Sequence, residues 1–169
     1  MDPVQAKKIG DILKGDILIL GIGNVLKHDD GFGSILARHL AGRTLNFKVF
    51  DLEGSPENMM GKVLGEKADT VLIVDCVSFD AEPGAIRVFD CAEVDSRGIF
   101  FTHNMPLGLV MSFIKESSGA AVYLLGVQPG AISLGEGLTE GLHDSLHELE
   151  DLILRLDKNY VLHDTGQSN

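Results

Sequence analysis

Apolar runs and amphipathic stretches alternate along this chain, and their spacing predicts its elements. Asp16 to Gly21, with Ile17-Leu18-Ile19-Leu20 at its centre, reads as a first buried strand. From about Gly31 to Leu40, Phe32, Ile35, Leu36 and Leu40 fall on one helical face, and Gly42 ends the helix. Phe47 to Leu52 alternates as a second strand. A turn, Glu53-Gly54-Ser55-Pro56-Glu57-Asn58, leads into a second helix with Met59, Met60, Val63 and Leu64 inward; Ser55 is placed to cap it and Pro56 suits its first turn. Thr70 to Asp75 is continuously apolar until its last residue, the pattern of a central parallel strand covered on both faces.

The next strand, Ala85 to Phe89, follows after only the nine residues Cys76 to Gly84. A parallel crossover needs about a dozen residues or more, so this fourth strand is expected to run antiparallel to the third. Asp90 to Gly98 reads as a short irregular piece. Pro106 opens a third helix with Leu107, Val110, Met111 and Ile114 on one face. Ala121 to Val127 is a fifth strand. A glycine-rich loop, Gly130 to Gly137, precedes a last helix over about Thr139 to Leu156, striped by Leu142, Leu146, Leu149, Ile153 and Leu156. Met1 to Gly15 is a polar, weakly helical leader, and the tail after Asp157 is expected to fray. The handedness of crossovers puts the second strand outside the first. The expected architecture is α/β: a five-stranded mixed sheet in the order 2-1-3-5-4, strand four antiparallel, with helices on both faces. Residues 1–169 form a single domain, its core about residues 16–156.

Composition narrows the partners. At 169 residues, 44% hydrophobic, the chain is long enough for a three-layer core. A net charge of −11 argues against nucleic acid or an anionic membrane as partner. The two cysteines, Cys76 and Cys91, make no framework, and a cytoplasmic location is expected. No apolar run approaches the roughly 20 residues of a membrane span, and the leader lacks the marks of a signal peptide.

The loop after the first strand draws the chemistry. Gly21-Ile22-Gly23 resembles the start of a dinucleotide fingerprint, but Leu26 stands where its third glycine belongs. Asp51 lies well beyond the usual spacing of about 20 for a ribose-binding carboxylate. Asp29 and Asp30 decide against a pyrophosphate, because two carboxylates at a helix start repel phosphate and attract a cation. Asp30 follows strand one, Asp75 ends strand three and His103 precedes the third helix. In the 2-1-3 order these three converge at the carboxyl end of the sheet, where open α/β sheets bind ligands. Two carboxylates and an imidazole suit nickel, zinc, manganese or cadmium. Plainer readings stand beside this one: Asp75 as a turn cap, Asp29 as a cap of the first helix, His103 as a surface residue. His28, His39, His143, His147 and His163 have no partner legible in the sequence and are expected to face solvent.

Five motifs in register resemble the [NiFe]-hydrogenase maturation proteases. They are Gly21-x-Gly23-Asn24 with Asp29-Asp30-Gly31-x-Gly33; Glu53-Gly54-Ser55-Pro56-Glu57-Asn58; Ile73-Val74-Asp75; Thr102-His103-Asn104-Met105-Pro106-Leu107; and Gly126-Val127-Gln128-Pro129. The resemblance covers about Asp16 to Leu156 and is nearest to the branch serving formate-hydrogenlyase-type hydrogenases. It implies a three-layer α/β/α sandwich and an endopeptidase. Such an enzyme removes the C-terminal extension of a hydrogenase large-subunit precursor after nickel insertion. It implies Asp30, Asp75 and His103 as ligands of the substrate-borne nickel, with zinc or cadmium able to stand in for it. The catalytic candidates are Asp30, Asp29 and Asp75. The base is Asp29 or Asp30 with a pKa raised by its neighbour, or else the metal activates water. No serine or cysteine has a recognisable base partner. A nickel-binding accessory module that does not cut would use the same residues.

Overall fold

The computed structural model describes residues 1–97 and 106–164, with side chains through Tyr160. Its centre is a five-stranded sheet of β1 (Ile17–Ile22), β2 (Lys48–Glu53), β3 (Thr70–Cys76), β4 (Ile86–Asp90) and β5 (Ala121–Val127). The order is β2-β1-β3-β5-β4, with β4 antiparallel to β5 and the other pairings parallel. The expected order and direction are both met. The short Cys76–Gly84 connection returns the chain as foreseen, skipping one place so that β5 fills the gap.

Strand periodicity sorts the core into two layers. Ile17, Ile19, Leu72, Val74 and Cys76 face one side. There they pack against α1 (Pro3–Ile12), α2 (Phe32–Leu40) and α6 (Glu140–Asp164). Leu18, Leu20, Val71 and Ile73 face the other. They meet α3 (Met60–Gly65), α4 (Cys91–Arg97) and α5 (Leu107–Ser118). β1 and β3 are buried at every residue, which is why their sequences do not alternate. Among the described residues, no helix is long and apolar enough to cross a membrane.

Four local expectations change. The leader is helical as expected, over Pro3 to Ile12, but it belongs to the core: Asp2 caps it by accepting from the Val4 N–H at 2.9 Å, and Ile9 is fully buried. This helix also seals a sheet edge. The outward N–H of Val88 on β4 donates to Gln5 Oε1 at 3.1 Å, and the Lys8 ammonium donates to the Val88 carbonyl at 2.9 Å. Asp90 to Arg97 is not irregular either. Asp90 and Glu93 form a reciprocal capping box that starts α4, the Glu93 N–H donating to Asp90 at 2.8 Å and the Asp90 N–H to Glu93 at 3.2 Å.

The third change is at the C-terminus, where α6 continues past Asp157 to Asp164. Asp157 is buried because it accepts from the backbone N–H groups of Leu45, Asn46 and Phe47, pinning the start of β2. The fourth is Ser55, whose side chain makes no cap bond. The turn after β2 is a short 3-10 helix, Pro56–Met59, that runs into α3.

Candidate active site

The loop between β1 and α2 is held down by a close approach of backbone. A Cβ at Gly21 would lie 2.1 Å from the Gly33 carbonyl oxygen. A Cβ at Gly33 would lie 2.1 Å from the carbonyl oxygen of Val74 and 2.4 Å from that of Ile22. Only glycine at both positions lets the first turn of α2 rest on the carboxyl ends of β1 and β3. The glycines thus serve helix–sheet contact, as in a nucleotide fold, while the phosphate place is taken by carboxylates. His28–Gly31 forms a 3-10 turn in this gap, with Asp29 and Asp30 fully buried inside it.

Asp75 is the penultimate residue of β3 and is likewise fully buried. Its side chain lies on the sheet face of Val71 and Ile73, by strand parity. Among the described residues, neither carboxyl oxygen has a full hydrogen-bond partner, and no lysine or arginine pairs with it. Burial pushes its pKa well above 3.8, and the Asp30 charge pushes it further; the Cys76 N–H offsets only part of this. The structure therefore brings Asp30 and Asp75 together, as the strand order requires. Two covered carboxylates that repel each other make a site that gains from a cation. His103, the third expected member, lies outside the described residues. Among those described, no group of three or more His, Cys, Asp or Glu side chains is arranged to hold a metal ion.

Asp29 has a different environment from its neighbour. One of its oxygens accepts from the backbone N–H groups of Gly130 and Ala131, each at 2.8 Å, and from the Thr139 hydroxyl at 2.9 Å. The other accepts from the Thr139 N–H at 2.7 Å. It does not cap α2, whose N-terminus has no side-chain cap. Instead it ties the glycine loop to the loop before α6. Backbone bonds continue the seam, from His28 N–H to Gly135 O at 2.8 Å, Asp29 N–H to Ala131 O at 3.0 Å and Gly135 N–H to Leu26 O at 3.0 Å.

His28 belongs to this seam too, its Nδ1 lying 3.1 Å from the Gly137 carbonyl oxygen. His39 Nδ1 lies 2.9 Å from Glu150. Both histidines thus have partners that the sequence did not reveal; His39, His143 and His147 are exposed as expected, His28 is half-buried, and the side chain of His163 lies outside the described residues. Cys76, beside Asp75, is held as a thiol: burial raises its pKa well above 9.0, and the charges of Asp75, Asp29 and Asp30 add to that. It is no nucleophile in this state.

Comparison with known proteins gives this buried acidic pair its context. The family profile described as HycI, hydrogenase maturation protease, matches residues 33–156. The chain belongs to the hydrogenase maturation protease family. The hydrogenase 3 maturation protease of Escherichia coli (strain K12) is 31% identical over 130 residues, which is 76% of this chain and 83% of that one. A putative hydrogenase maturation protease of Methanocaldococcus jannaschii is 31% identical over 150 residues, 83% of this chain and 96% of the relative. Among solved structures, the [NiFe] hydrogenase maturation protease HycI from Thermococcus kodakarensis KOD1 superposes with a TM-score of 0.80 at 32% identity. That superposition covers 89% of this chain and 99% of the other. The maturation protease fold is thus the sandwich described above, and the chain is a peptidase by family.

Proposed function

We propose that this chain removes the C-terminal extension of a [NiFe] hydrogenase large-subunit precursor after nickel insertion. In this reading it grips the substrate-borne nickel through Asp30, Asp75 and His103. The observation that carries it is the buried pair Asp30 and Asp75 at the carboxyl ends of β1 and β3, in a chain of the maturation protease family. A buried carboxylate with a raised pKa and no cationic partner among the described residues is costly to ionise. A divalent cation offsets that cost at Asp75 and displaces the proton, and the nickel of a loaded precursor would bring that cation. A precursor without nickel has no such anchor. Two carboxylates with the imidazole of His103 suit nickel, and zinc or cadmium fit the same donors.

Hydrolysis needs a water whose oxygen bonds to the scissile carbonyl carbon, and a proton delivered to the departing amine nitrogen. Four donors engage both oxygens of Asp29, which favours Asp30 or Asp75 over Asp29 as the carboxylate that takes the water's proton. Asp29 serves in this reading as the brace of the loop. The test is incubation of purified precursor, with and without nickel, with this protein. A shortened product that forms only with nickel is expected. Cleavage of nickel-free precursor at the same rate would refute the nickel anchor. Intact precursor in both arms would refute the protease reading and leave a binding module.

A further inference from the structure

Three large apolar side chains stand in water on the two loops beside Asp30. Leu26 is 57% exposed, Ile132 49% and Leu134 81%. These loops are not loose coils. The Asp29 carboxylate takes four donors across the gap, and residues 27 and 135 form an isolated parallel bridge. The backbone therefore holds the two loops that carry these side chains against each other, next to Asp29 and Asp30. Apolar groups this exposed contribute only part of their burial energy to the free protein, and they are what an interface uses.

We propose that residues 24–31 and 130–139 form one docking platform for the apolar stretch of precursor that flanks its scissile bond. This rests on the reading of Asp30 and Asp75 as the site of cleavage. Leu26 lies four positions before Asp30 on the same loop, and Ala131 and Thr139 are bonded to Asp29. The platform is thus continuous with the site. A chain delivering a peptide bond to the site must pass over it. A second copy of this protein seated there would instead cover the site.

The test is a triple variant, L26S/I132S/L134S, beside L45S. Leu45 is 78% exposed but lies before β2, at the opposite end of the sheet. Thermal melts of both variants should stay cooperative and lie within a few degrees of the parent, because each of these side chains is about half exposed or more. Affinity for nickel-free precursor, measured by interferometry, reads the platform apart from the metal anchor. The triple variant should bind about tenfold more weakly, and on nickel-loaded precursor its KM should rise by a similar factor with kcat unchanged. L45S should change neither. Equal affinity in the triple variant, or an equal loss in L45S, overturns the platform. So does a dimer of the parent chain that dissociates in the triple variant. If the parent binds precursor but never cuts it, the protease reading fails while the binding comparison still decides the platform.

Discussion

Thr139 donates both its backbone N–H, at 2.7 Å, and its hydroxyl, at 2.9 Å, to the carboxylate of Asp29, a residue 110 positions earlier. One buried anion thus joins the first loop of the sheet to the start of the last helix. Asp29→Asn turns an acceptor toward a donor and leaves buried N–H groups facing an amide nitrogen. It should cost about 2–4 kcal/mol in a urea melt, against about 1 kcal/mol for Thr139→Val, which removes one neutral donor. If Asp29→Asn is as stable as the parent yet inactive, Asp29 is the base and not the brace.

Asp75 should behave in the opposite way. Among the described residues only the Cys76 N–H offsets part of its buried charge, so Asp75→Asn should raise the stability of the metal-free protein at pH 7 while abolishing processing. Each kcal/mol gained moves the melting temperature by about 2–4 °C in a chain of this size. Because the native pKa is raised, the parent's carboxyl favours the native state below 3.8 and loses that contribution as pH climbs through the raised value. The gap between variant and parent should therefore widen from acid to neutral pH. A parent that melts higher than the variant at pH 7 would contradict it.

Gly33→Ala forces a methyl group against the carbonyl oxygens of Val74 and Ile22, which are backbone and cannot turn away. A loss of about 1–3 kcal/mol or more is expected, together with slower processing, as the helix start lifts Asp30 from Asp75. Gly61, with open space around it, is the control: Gly61→Ala should be tolerated.

Glu150 gives the pH signature of the scaffold. Burial alone would raise its pKa, but the hydrogen bonds of His39 and Arg43 outweigh burial and hold it below 4.5. A carboxylate depressed on folding stabilises the native state above its ordinary value and loses that contribution as pH falls. Glu150→Gln should be less stable than the parent at pH 7 by about 1 kcal/mol or less, and the two should converge below pH 4.5.

His103→Ala removes the nitrogen donor that favours nickel over harder cations. The variant should melt cooperatively and leave nickel-loaded precursor uncut; Asp30→Asn should fail in the same assay. Normal cleavage by His103→Ala would remove the histidine from the site.

Sheet order was legible because it follows from connection length and crossover handedness, which a chain displays directly. The short Cys76–Gly84 link alone turned β4 around. Asp30 and Asp75 were legible for the same reason, since each follows or ends a strand whose place the topology sets. What escaped was pairing at long range. Nothing in the local pattern around Asp29 points to Gly130, Ala131 or Thr139, and nothing near Asp157 points to residues 45–47. Two local signals are present in the sequence: Asp2-Pro3 starts the leader helix, and Asp90-Cys91-Ala92-Glu93 spells the capping box of α4.

The contacts from Gln5 and Lys8 to Val88 have a consequence for how this protein keeps to itself. A mixed sheet ends in two rims of unsatisfied peptide groups, each a template on which another extended chain can grow. On the β4 rim the first helix occupies the outward groups of Val88 with side chains, so a neighbour finds them taken. A chain shortened to start at Gly15 would keep every strand and every residue proposed for the chemistry. It would present the outward groups of Val88 bare and uncover the apolar face that Ile9 and Leu13 bury, so strand-to-strand association in solution would come together with a loss of stability.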